Sequence, residues 1–157
     1  MQENWARWGP HYLSPKYYIV AVSDTVRALR IKLINEQETH YIQLIFKGGV
    51  DSYERTDETF CLKRTKPVGE KYGLDFYTKW TFFTIYNSEY LRYLSDQSYR
   101  FSETINFIHF AILAIDSIMD IIAYEEPKII IQEKKSKVIK KGVNNAAGTR
   151  VKKNMHG

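Results

Sequence analysis

The stretch "RALRIKLI", residues 27–34, alternates strictly: Leu29, Ile31 and Leu33 point one way, Arg30 and Lys32 the other. A helix would throw Ile31 to the side opposite Leu29 and Leu33, so the period of two demands a strand with one buried and one wet face. The segment "HYIQLIF" (40–46) repeats the pattern with Ile42, Leu44 and Phe46, and "NEQET" between the two supplies turn chemistry. Upstream, "KYYIVAV" (16–22) is rich in β-branched and aromatic residues and is followed by Ser23, Asp24 and Thr25, which favour a turn. These runs predict an antiparallel meander, half-buried, around which the rest of the chain must pack.

Downstream, "FYTKWTFFTIY" (76–86) carries bulky residues on both faces and predicts a central strand. Asn87 or Ser88 can cap the helix that follows, which buries Leu91 and Leu94 and turns Glu89, Arg92 and Asp96 to water. Another strand is expected in "TINFIHFAILAI" (104–115). Asp116 reads as the N-cap of a second short helix, "SIMDIIAYEE", with Ile118, Met119, Ile121 and Ile122 inward and Asp120 outward. Pro127 ends it, and "KIIIQ" (128–132) forms the last strand. The opening "WARWGP" reads as an aromatic lid over a core edge. Residues 47–76 read as an irregular connection, in which Thr56 or Asp57 can cap a short helix with Glu58 in its first turn. The expected architecture is a single α+β domain over residues 1–132, a mainly antiparallel sheet of about six strands with two short helices, followed by a disordered basic tail over 133–157.

The chain has 157 residues and a net charge of +5, but the charge is not spread evenly. From Glu133 to Gly157 there are eight Lys or Arg and one Glu, which leaves 15 basic and 17 acidic residues in the body. The body is mildly acidic, so the basic pI is no nucleic-acid footprint of the domain. The tail can bind nucleic acid through charge alone, yet it lacks aromatic residues on which bases could stack. Aromatic residues make up 15% of the chain, with 12 tyrosines, a residue suited both to half-buried sheets and to contact surfaces. The single Cys61 excludes an internal disulfide and favours a reducing compartment. The first residues lack a basic segment leading into an apolar run, and "FIHFAILAI" is about half the length of a membrane span. A cytoplasmic protein without a membrane span is expected.

Residue chemistry alone shows no catalytic, metal or cofactor motif. "KGG" (47–49) lacks the spacing of a phosphate loop, and the histidines at 11, 40, 109 and 156 are scattered. His109 reads as a core histidine with a satisfied hydrogen bond, and Cys61 as an inert thiol. Adjacent acids such as Asp57 and Glu58 project apart on a strand, and glycosidic chemistry needs two carboxylates opposed across a cleft, a placement that sequence does not show. Three classes stay open on this footing: a protein-binding module, a nucleic-acid-associated regulator acting through its tail, and a small enzyme using the 47–76 connection.

At "SYERTDE" (52–58), "KWTFFTIYNSEYLRYLSDQSY" (79–99) and "HFAILAIDSIMDIIAYEEPKI" (109–129), the chain resembles a group of small cytoplasmic proteins of Gram-positive bacteria. That group is associated with polymorphic-toxin loci of the LXG type, as immunity partners of the toxins. The likeness runs from about Trp5 to Ile131; its marks are "WTFF", the helix start "NSEYL", "DQS" in place of "EQS", and "EPK". The basic tail departs from the pattern. The resemblance implies a non-catalytic protein that neutralises a basic toxin domain by occlusion, with no catalytic residue and no cofactor to carry over. Taken with the acidic, tyrosine-rich body, it points to Glu89, Tyr93, Asp96, Asp57 and Glu58 as partner-binding residues.

Overall fold

The computed structural model describes residues 2–48, 50–100 and 104–136. Its elements are nine strands and three α-helices: β1 (Asn4–Arg7), β2 (Tyr17–Thr25), β3 (Ala28–Asn35), β4 (His40–Lys47), β5 (Val50–Asp57), α1 (Leu62–Tyr72), α2 (Leu74–Thr78), β6 (Phe82–Tyr86), α3 (Glu89–Gln97), β7 (Ile108–Leu113), β8 (Ser117–Ala123) and β9 (Lys128–Glu133). The class is α+β, but the strands form two antiparallel sheets where one was expected. Five strands pair in the order β1-β6-β7-β8-β5, and four in the order β2-β3-β4-β9.

The meander behaves as its alternation demands. Leu29, Ile31 and Leu33 of β3 and Ile42, Leu44 and Phe46 of β4 lie in one core cluster with Phe82, Phe110, Ile112, Met119 and Ile121 from the other sheet. These apolar faces press the two sheets together. The five-stranded sheet is covered on its second face as well. There Trp5, Phe83, Ile85, Ala111, Leu113 and Ile118 meet Cys61, Val68, Tyr72 and Phe76 from the helical segment. The order of layers is four-stranded sheet, five-stranded sheet, helices, and the middle layer is buried on both sides.

That double burial corrects the reading of residues 117–126. "SIMDIIA" is no helix but β8, with all seven residues buried, paired to β7 on one side and β5 on the other. A strand covered on both faces needs no alternation, and a short apolar run of this kind matches a helical pattern equally well. Asp116 therefore caps nothing; it accepts from Arg55 in an ion pair at 3.2 Å. Asp120 does not face water, being 2% exposed.

Three further expectations change. The aromatic opening is a strand, β1, which puts Trp5 under the helices. Residues 76–86 divide between α2 and β6. The 47–76 connection is mostly regular: β5, a 3-10 turn at Glu58–Phe60, and α1. Gly69 lets α2 come close to α1, because a Cβ there would sit 3.0 Å from the Tyr77 ring. At the C-terminal end, β9 runs to Glu133 and Lys134 N–H donates back to the Thr39 carbonyl. The rest of the basic tail, from residue 137, lies outside the described residues.

Candidate functional site: the face of α3 and its buried support

The turn from β6 into α3 is made by Asn87, whose φ of 53° is a left-handed conformation that asparagine tolerates better than most residues. Ser88 follows as N-cap and accepts from Leu91 N–H at 2.9 Å. Of the two candidate caps in the sequence, Asn87 and Ser88, Ser88 is the cap; the buried side of the helix was not legible. Leu91 and Leu94 are only half-buried; Ser95 is the buried residue. Polar contacts pin the helix in place of an apolar stripe. Glu3 accepts from Glu89 N–H at 2.9 Å, and the Tyr90 and Ser52 hydroxyls meet at 2.6 Å. The Tyr90 ring lies 5.7 Å from the His109 ring.

Beneath this helix start lies a network of charge. Ser88 Oγ and His109 Nδ1 are 2.6 Å apart, and His109 Nε2 and Asp120 Oδ1 are also 2.6 Å apart. Arg64 of α1 donates through Nη2 to Asp120 Oδ1 at 2.6 Å and through Nη1 to Asp120 Oδ2. Burial works against the Asp120 carboxylate, but the hydrogen bonds from His109 and Arg64 outweigh it and hold the carboxyl below its ordinary pKa. With Asp120 accepting from His109 Nε2–H, the ring's Nδ1 lies within hydrogen-bond distance of the Ser88 hydroxyl.

Serine, histidine and aspartate in a hydrogen-bonded row invite comparison with a nucleophilic triad. The surroundings argue for support. The His109 side chain has no exposed surface and that of Asp120 is 3% exposed. Ser88 is itself buried, and its oxygen is engaged by Leu91 N–H. Both Asp120 oxygens are taken by a bidentate Arg64. The row ties α1, α3, β7 and β8 together. Burial pushes the Cys61 thiol pKa up, which disfavours the thiolate. Among the described residues, no cluster of His, Cys, Asp or Glu is arranged to hold a metal ion.

The five residues expected to bind a partner fall in two places. Glu89, Tyr93 and Asp96 are exposed on the outer side of α3, with Tyr93 60% exposed. Asp57 and Glu58 stand at the end of β5. Asp57 caps the 3-10 turn, accepting from Thr59 N–H at 2.9 Å and Oγ1–H at 2.6 Å, and these bonds hold its carboxyl below its ordinary pKa. Glu58 lines a groove of about 540 Å³ beside α1, with Lys16, Glu36, Thr65 and Tyr77. Glu89 lines a smaller cleft of about 260 Å³ with Glu3, Lys63, Arg64 and Lys71.

Lys16 is the groove's unusual group. Its ammonium donates to the carbonyls of Leu113 at 2.6 Å, Trp80 at 3.1 Å and Tyr77 at 3.4 Å, bracing the start of β2 against the other sheet. Burial pushes its pKa down to about 8, against the attraction of Glu36 and Glu58. The unfolded chain keeps this proton up to about 10.5, so between those values the unfolded state binds more protons and stability rises with pH. The Lys16→Met variant should lose that rise, measured as the urea midpoint at pH 7.5 and 9.5; an identical rise in both proteins would assign it to other groups.

No described helix is long and apolar enough to cross a membrane. Set against known protein families, curated proteins and solved structures, the chain matches none of them.

Proposed function

We propose that this chain is a non-catalytic binding protein of the cytoplasm, an immunity protein that neutralises a basic toxin domain by covering it. The observation that carries the reading is the contrast between the two sides of α3. Its inner side is fixed by Ser88, Tyr90 and the buried row of His109, Asp120 and Arg64. Its outer side offers Glu89, Tyr93 and Asp96 to solvent. A rigidly held aromatic and acidic face loses little freedom when a partner docks, and tyrosine is enriched where such docking is strong. The mildly acidic body complements a basic toxin surface, and occlusion needs no chemistry from the protein that provides it.

The direct test is growth rescue. Co-expression of the full-length chain with the toxin domain encoded beside it should restore growth, and Glu89→Lys/Tyr93→Ala/Asp96→Lys should fail to do so at equal protein level. Rescue undiminished in the triple variant would remove α3 from the contact, and no rescue by the wild type would remove the immunity reading.

A further inference from the structure

We infer that the free edge of β9 pairs with the same strand of a second copy, antiparallel and centred on Ile130. Two sheets leave four edges, and three of them carry features that discourage pairing. β1 has four residues and ends in Arg7. β2 shifts register between Ile19 and Ala21, and exposes Ser23 and Asp24. β5 shifts between Val50 and Ser52, and exposes Asp51, Glu54 and Arg55. β9 is six residues long, pairs with β4 without a bulge, and carries its charges only at its two ends, Lys128 and Glu133, with Ile129, Ile130 and Ile131 between them. Among the described residues no strand pairs with its other side, which leaves a row of backbone N–H and C=O groups without sheet partners.

The side chains point the same way. Ile131 stands opposite Ile42, a fully buried core residue, yet is itself 44% exposed, while Ile130 on the outer face is 39% exposed. The sandwich is thus open at this end on its apolar side. A two-fold axis normal to the sheet keeps inner face with inner face, so only residues of like facing can oppose each other. Centred on Ile130, the pairing sets Ile130 against itself, Ile129 against Ile131 of the second copy, and Lys128 against Gln132. Every isoleucine then meets an isoleucine and no like charges oppose. Centring on Ile131 would instead set Lys128 against Lys134 and Ile129 against Glu133. Of these two registers, the sequence of the edge favours the one centred on Ile130.

Light scattering on the full-length chain at about 100 μM should give twice the 18.5 kDa chain mass. Ile130→Lys should give the single-chain mass, raising the dissociation constant roughly tenfold or more, because two ammonium groups then face each other across the pair. Val20→Lys, on the exposed edge β2, should leave the dimer intact. In the chosen register Ile130→Cys brings two thiols directly opposite each other, so oxidation should cross-link that variant; the wild type, whose Cys61 is buried, should not cross-link. A wild type that stays a single chain at this concentration, a dimer indifferent to Ile130→Lys, or a dimeric Ile130→Cys that fails to cross-link would each overturn the proposal.

Discussion

Asp120→Ala will destabilise the fold by roughly 3–5 kcal/mol, the usual loss when one partner of a buried ion pair is removed. The variant leaves the Arg64 guanidinium and the His109 Nε2–H facing a space without an acceptor, beneath the start of α3. Asp120→Asn keeps an acceptor and should lose less. The pH dependence separates the charge from the packing. A carboxyl whose folded pKa is depressed adds stability above its unfolded value near 4, and that stability is lost as pH falls through the folded value. The stability gap between wild type and Asp120→Asn, measured by urea unfolding, should be widest near pH 7 and narrow below about pH 4. A gap constant down to pH 2 would mean that Asp120 acts through shape alone.

Phe83→Ala should cost about as much, roughly 3–5 kcal/mol. Phe83 has no exposed surface and holds the helical layer to the five-stranded sheet, with Trp5 at 5.7 Å edge-on and Phe76 at 5.2 Å. Its loss opens a cavity between β1 and α2, where neither short element can collapse without releasing the other. Urea unfolding followed by tryptophan emission reads the stability. A loss under about 1 kcal/mol would mean that the helical layer rests on other contacts.

How much of this was legible depended on where each residue's partners lay. The β3–β4 pairing is local and strictly alternating, so its buried face follows from the residues themselves. β8 hides its nature because it is central and covered twice, and Asp120, lone among isoleucines, invites a helix with one wet face. Its true partners, His109 and Arg64, are 11 and 56 residues away, and no local pattern connects them. His109 gave half the signal: a histidine in an apolar strand needs hydrogen-bond partners from somewhere. α1 was concealed by its composition, since Pro67 and Gly69 disfavour a helix interior and Val68 alone is buried. Its place is set by tertiary packing on the five-stranded sheet. The Ser88 cap and the exposure of Glu89, Tyr93 and Asp96 were readable from the residues, whereas the second sheet was not.

The claim that α3 meets a basic partner is tested most directly by binding kinetics with the purified toxin domain at two salt concentrations. Glu89→Lys/Asp96→Lys should lower the association rate and flatten its salt dependence, because these charges steer encounter from an exposed face. Tyr93→Ala should leave association nearly unchanged and raise dissociation, as loss of a desolvated aromatic contact does. All the variants should keep the wild-type thermal midpoint, since none of the three side chains is buried. Rate constants equal to wild type in both variants, with tight binding retained, would contradict the account and place the contact elsewhere on the body.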